Sequence, residues 1–135
     1  MRKNEITDEL IALSKQAKSL GFPQDIDLTD WFLNPSGKVC LCLCVMTKVN
    51  EIGDELEIYT PEMCTLILTF DICLDWLNGQ GISTILENDR IRNSCMCSVF
   101  MKMGNIISLD APTRHEAIAK VVVQRLEDDN DKTTE

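Results

Sequence analysis

The side chains with reactive chemistry in this sequence are seven cysteines and one histidine. Cys40, Cys42 and Cys44 alternate with leucines, Cys95 and Cys97 flank Met96, and Cys64 and Cys73 stand apart. In a strand, residues two apart are separated by roughly 6.6 Å, twice the rise per residue. Two thiolates on one tetrahedral zinc, each about 2.3 Å from it, lie only about 3.8 Å from each other. A single Cys-Leu-Cys-Leu-Cys strand therefore does not chelate, although thiols from two paired strands could converge. An odd cysteine count in a chain read as intracellular argues against a disulfide framework. Buried structural thiols are the favoured reading. His115 falls in the first turn of a helix, where a protonated imidazole meets the unfavourable end of the helix dipole. It reads as a neighbour of the helix cap on a solvated edge, with a general base as the alternative. A Cys–His pair would supply a nucleophile, but nothing local marks which thiol would serve.

The carboxylates offer little more. Asp71 and Asp75 lie four residues apart on one helix face and could share a divalent ion; capping and solvation explain them better. Asp54 and Glu55 pair because the chain is acidic. Gly79, Gly81 and Gly104 are isolated turn glycines rather than a phosphate-cradling GxGxxG unit. Met96, Met101 and Met103 read as core, as does Trp76, while Trp31 reads as core or interface. No catalytic, cofactor-binding or metal-ligating residue is assigned from the sequence, and no cofactor is expected.

Composition narrows the classes. The chain has 135 residues, 44% hydrophobic and 26% charged, with a net charge of −9 and an isoelectric point near 4.5. That length and balance suit one globular domain. The thirteen Lys and Arg are scattered, whereas a nucleic-acid binder concentrates them in a patch that displaces counterions. Direct nucleic-acid binding is not expected. No run approaches the ~20 apolar residues that span a bilayer, and the first ten residues carry acids where a secretory signal needs an apolar stretch. The expected location is the cytoplasm.

The elements that must position these groups are ordered α, strands, α, three strands, α. The clearest is a helix over Thr113 to Asp129, with Ala117, Ile118, Val121, Val122 and Leu126 at three- and four-residue steps. Pro112 precedes it, and Thr113 with Glu116 forms the pattern of a capping box. Val121-Val122-Val123 is a poor helix run, so its helicity should depend on burial against a sheet. Asn4 to Leu20 reads as a first helix, stopped by Gly21 and Pro23. A connecting stretch with Asp25, Asp27 and Asp30 leads to a short strand, Trp31 to Leu33. Asn34-Pro35-Ser36-Gly37 then turns the chain into Lys38 to Val49, whose apolar residues on both faces imply a strand covered on both sides. Glu51 to Tyr59 reads as an edge strand or irregular excursion. Thr69 caps a middle helix, stopped at Asn78 to Gly81. Ile82–Leu86, Ser94–Met103 and Ile106–Leu109 follow as an antiparallel meander, the last two joined by a Gly104-Asn105 turn. The predicted fold is α+β: a mostly antiparallel sheet with about three helices, arranged as an α/β/α sandwich. Residues 1–127 form one domain, and 128–135 form an acidic, flexible tail.

The segment from Met63 to Asp128, with Leu-Thr-Phe-Asp-Ile-Cys-Leu-Asp-Trp-Leu, Gly-Ile-Ser-Thr-Ile, a strand pair and Ala-Pro-Thr-Arg-His-Glu-Ala-Ile-Ala-Lys, resembles small phage and prophage proteins of unknown function. Those proteins pack as helix–sheet–helix sandwiches. The resemblance implies a mobile-element protein acting in a bacterial host cytoplasm, and it brings no catalytic residues. The expected function is that of a non-enzymatic phage-associated accessory protein that binds a host or phage protein, in one version as an acidic inhibitor. The inhibitor version requires carboxylates clustered on one face. The alternatives are a structural or assembly subunit, which would form a homo-oligomer, and a small cysteine-dependent enzyme using His115.

Overall fold

The apolar positions spaced along the last helix are among the most buried in the chain. The computed structural model describes residues 1–43, 61–100 and 106–133, with side chains to residue 130. Its last helix, α3, runs over Arg114–Thr133, and Ala117, Ile118, Val121 and Val122 are fully buried along it. Burying a valine side chain stabilises by roughly 1.5–3 kcal/mol, whereas its helix propensity costs at most about 0.7 kcal/mol against alanine. Packing therefore wins over propensity in Val121-Val122-Val123, as the sequence predicts. The helix does not stop where the acidic tail was expected to begin. It continues through residues 128–133, with Asp128 accepting from Gln124 Nε2 at 3.0 Å and Asp129 paired with Arg125 at 3.0 Å.

The first helix, α1, spans Asp8–Ser19 and starts later than predicted. Lys3–Glu5 forms a separate 3-10 turn, and the Thr7 hydroxyl caps the helix by accepting the Leu10 N–H at 3.2 Å. Gly21, at φ +98°, ends it as expected. The Phe22 N–H reaches back to the Ala17 carbonyl at 2.9 Å and the Gly21 N–H to Lys18 at 3.1 Å, the double bond of a left-handed helix stop.

Strands β1 (Trp31–Leu33) and β2 (Val39–Leu41) form the expected hairpin. Asn34 holds its turn, the side-chain oxygen accepting the Ser36 and Lys38 N–H groups at 3.0 and 2.9 Å. Strand β3 (Thr65–Leu66) pairs with the other side of β1, giving the antiparallel order β2-β1-β3. The expectation that the strand from Lys38 is covered on both faces fails over its described part. Val39 and Cys40 are half-buried, Leu41 is exposed, and the following Leu43 is 79% exposed. Residues 44–49, the Glu51–Tyr59 excursion, and the turn at Gly104-Asn105 with Met101 and Met103 lie outside the described residues, as do Asp54 and Glu55.

Helix α2 spans Phe70–Gly79, capped by the Thr69 hydroxyl on the Ile72 N–H at 3.3 Å. It ends as α1 does: Gly81 sits at φ +74°, and the Ile82 N–H bonds the Leu77 carbonyl at 3.0 Å. Strands β4 (Ser83–Asp89), β5 (Ser94–Phe100) and β6 (Ile106–Ala111) form the predicted antiparallel meander in that order. Helix α3 packs on β5 and β6 and also touches α1 and α2. The α+β class is as predicted, with two three-stranded antiparallel sheets among the described residues. Cys97 and Val99 of the meander point into the core, while Ile85, Met96, Phe100 and Ile106 are exposed. A second helical layer of an α/β/α sandwich would cover that outer face; none does so among the described residues.

The sequence assigned no element to residues 64–68, yet Leu66, Ile67 and Leu68 are 0–2% exposed. Their backbone needs partners in a dry interior. The Ile67 N–H bonds the Trp31 carbonyl at 2.9 Å, and the Leu66 N–H bonds Gln24 Oε1 at 2.9 Å. The Leu68 N–H bonds the buried Ser14 hydroxyl at 3.0 Å, and that hydroxyl donates to the Leu10 carbonyl at 2.8 Å. Ser14→Ala should therefore destabilise the protein by roughly 1–3 kcal/mol, the cost of a stranded buried donor. Ser19→Ala, at an exposed hydroxyl, is the control. Urea unfolding of both variants checks this; equal losses would mean that the Leu68 amide has another partner.

Candidate functional site

His115 is not on a solvated edge. It is 4% exposed, and Nδ1 accepts the Phe70 N–H at 2.9 Å. That donor is the first helical residue of α2, one of the amides that a helix leaves without an internal partner. Its Nε2 lies 3.1 Å from Glu5 Oε2. An accepting Nδ1 requires the neutral ring, with its proton on Nε2 directed at Glu5. Burial, the largest cause, pushes the His115 pKa below its ordinary value, with Arg114 and the N-terminal ammonium adding and Glu5 opposing. Glu5 is lowered in turn, first by accepting the Arg2 N–H and then by His115.

The capping box forms by half. Thr113 Oγ1 accepts the Glu116 N–H at 3.2 Å. The buried Glu116 carboxylate, however, accepts a hydrogen bond from the Thr7 hydroxyl instead of turning back to Thr113. The cap of α1 and the first turn of α3 are thereby tied together.

Beside His115 opens a cleft of about 690 Å³. Asp25, Asp27 and Asp30 reach it from the segment before β1, and Asp71 and Asp75 from the exposed side of α2. Trp31 is half-buried in its wall, with the indole N–H donating to the Met1 carbonyl at 3.1 Å. Arg114 also lines it, its guanidinium 5.4 Å from the Phe70 ring centroid. Asp30 Oδ2 accepts the Asp27 N–H at 2.9 Å. Burial, aided by the charge of Asp27, raises the Asp30 pKa above its ordinary value, against the lowering effect of that hydrogen bond. Thr29 sits at φ +69°, a conformation costly for a β-branched residue. It is held by two backbone bonds, its own N–H to the Cys42 carbonyl at 2.7 Å and the Cys42 N–H to the Asp30 carbonyl at 2.8 Å.

Such a cleft favours cations, because among the described residues five aspartates line it against the single Arg114 guanidinium. Asp71 and Asp75 do share a face, but among the described residues no three or more His, Cys, Asp or Glu side chains are arranged to hold a metal ion. Cys40, Cys64, Cys73, Cys95 and Cys97 are free thiols. Burial pushes the Cys97 thiol up to about 11 and raises Cys73 further and Cys64 as well, which disfavours the reactive thiolate. Both His115 nitrogens are engaged by groups other than thiols, so the described residues do not bring a Cys–His pair together around it. The sequence treated Asp25, Asp27 and Asp30 as a connection; the nearest hint of their role was Trp31 beside Asp30.

Comparison of the chain with protein-family models, with curated proteins and with solved structures returned no match. No helix among the described residues is long and apolar enough to cross a membrane.

The His115 geometry predicts a pH dependence. A depressed folded value means that the unfolded chain binds the proton more tightly. The stability contribution is present above pH 6.5 and is lost as pH falls through the lowered folded value. Protonating Nδ1 would strand the Phe70 amide, whereas His115→Asn keeps a short acceptor there that does not titrate. Unfolding free energies measured above and below this window should fall in the parent protein and change much less in the variant. Parallel losses in both would exclude His115 as the cause.

Proposed function

We propose that this chain is a non-enzymatic accessory protein that binds another protein, taking a lysine- or arginine-bearing segment of its partner into the acidic cleft. The observation that carries this reading is the meeting of Asp25, Asp27, Asp30, Asp71 and Asp75 around Trp31 in one open cleft. These carboxylates come from segments separated in the chain, and their meeting in one cleft supports the acidic-inhibitor version of this reading. A basic groove that ordinarily holds phosphates is the kind of target such a surface complements. The resemblance of Met63–Asp128 to phage and prophage proteins supports a bacterial host or phage protein as the partner.

The test is capture from bacterial lysate by the tagged chain at low and high salt, with mass-spectrometric identification, repeated with Asp25→Asn, Asp71→Asn and Asp75→Asn combined. Exposed ion pairs contribute roughly 0.2–1 kcal/mol each, so the triple variant should bind the captured partner roughly 3- to 150-fold more weakly. Binding should also weaken with salt, because exposed charges are screened. A partner held equally by the variant and indifferent to salt would refute the cleft as its site.

A further inference from the structure

The meander has a second face that the cleft does not use. Strand register places Ser83, Phe100 and Ile106 side by side in one row, Ile85, Ser98 and Ser108 in the next, and Glu87, Met96 and Asp110 in the third. Ile85, Met96, Phe100 and Ile106 are all exposed on it, Ile106 by 59%. The face is therefore apolar at one end and flanked by carboxylates at the other. Between them Ser98 and Ser108 bond each other at 2.9 Å, leaving a low polar step. Contiguous exposed apolar patches, unlike single exposed apolar residues, mark interaction surfaces when they are large.

Geometry and charge select the occupant. Three strands at about 4.8 Å spacing make a face about 10 Å across, the width of a single helix with its side chains. Seven residues of β5 extend about 23 Å, the length of about four helical turns. A second copy of the chain fits poorly. Each copy carries a net charge of −9. Stacking two such faces about a twofold axis sets Glu87 and Asp110 either on their own counterparts or on Phe100 and Ile106, giving repulsion or buried unpaired charge. A helix with leucine-like residues along its contact stripe and lysine or arginine at one end meets both halves of the surface. We propose that the outer face of the meander docks one such cationic amphipathic helix of a partner protein. This surface is separate from the acidic cleft and stands without it.

The experiment is amide-shift mapping on the full chain, labelled with nitrogen-15 and titrated with a synthetic Leu/Lys amphipathic peptide of about four turns. A Leu/Glu peptide of the same pattern is the counterpart. Shifts at Ile85, Met96, Phe100 and Ile106 are expected with the Leu/Lys peptide and not with the Leu/Glu one. Phe100→Ser should weaken binding at least about tenfold, as loss of an aromatic anchor at an interface does. Glu87→Lys combined with Asp110→Lys alters exposed groups only, so it reports even if Phe100→Ser fails to fold. It should weaken the Leu/Lys peptide and admit the Leu/Glu one. Shifts confined to Asp25, Asp27, Asp71 and Asp75 would overturn this surface while leaving the cleft reading intact. Concentration-dependent shifts at the same residues without peptide would assign the face to a second copy and overturn the proposal. Absence of any shift would also overturn it.

Discussion

A buried peptide segment with polar backbone groups is the constraint on which the rest of this structure depends. Residues 64–70 run through the interior, with Cys64, Leu66, Ile67 and Leu68 almost wholly removed from solvent. Only part of the segment lies in a strand, so sheet pairing cannot satisfy it. Its partners come from four other places. Gln24 takes the Leu66 amide, the Trp31 carbonyl takes Ile67, Ser14 takes Leu68 and His115 takes Phe70. Lys18 donates to the Cys64 carbonyl at 2.7 Å. A stranded buried amide costs roughly 1–3 kcal/mol, and a whole domain is stable by only about 5–15 kcal/mol. Four such losses, about 4–12 kcal/mol together, would cancel much or all of that stability. The segment thus fixes α1, β1, the loop before it and α3 in one arrangement.

The acidic cleft follows from that arrangement. Gln24 and Trp31 bracket the stretch that carries Asp25, Asp27 and Asp30, while His115 holds the first amide of the helix that carries Asp71 and Asp75. Satisfying the buried segment brings two groups of like charge together. In water two charges 4 Å apart interact by only about 1 kcal/mol, and salt reduces this further. An open, hydrated cleft tolerates the repulsion that a closed cavity would not. Burial is the first cause of the raised Asp30 value, and the charge of neighbouring Asp27 adds to it. Opposing charge from a partner would relieve this repulsion, which links the fold to the proposed binding role.

The meander shows how one alternating pattern serves two environments. Cys97 and Val99 of β5 face α3 and are buried, while Met96, Ser98 and Phe100 between them face outward. The same period of two that builds the core also builds an outer face. Cys97 occupies the core side as a small apolar group, and its burial accounts for its weakened acidity.

Much of the architecture was legible in the sequence because it rests on local chemistry. The caps at Thr69, the glycine stops at Gly21 and Gly81, the Asn34 turn and the three-stranded meander need only neighbouring residues and a periodic pattern. The apolar spacing of α3 likewise announces its buried face. Tertiary structure alone decided the rest. Glu116 has the spacing of a capping box, yet its carboxylate goes to Thr7, more than a hundred positions away in the chain. His115 looked like a cap neighbour and became the cap of a different helix. Leu66, Ile67 and Leu68 carry no periodicity long enough to define an element, and their burial depends on partners drawn from distant segments. The aspartates of the cleft are unremarkable one by one; only folding sets residues 25–30 against residues 71–75. Local hydrogen bonds and hydrophobic period are written in neighbouring residues, whereas the pairing of distant polar groups is a property of the packed chain.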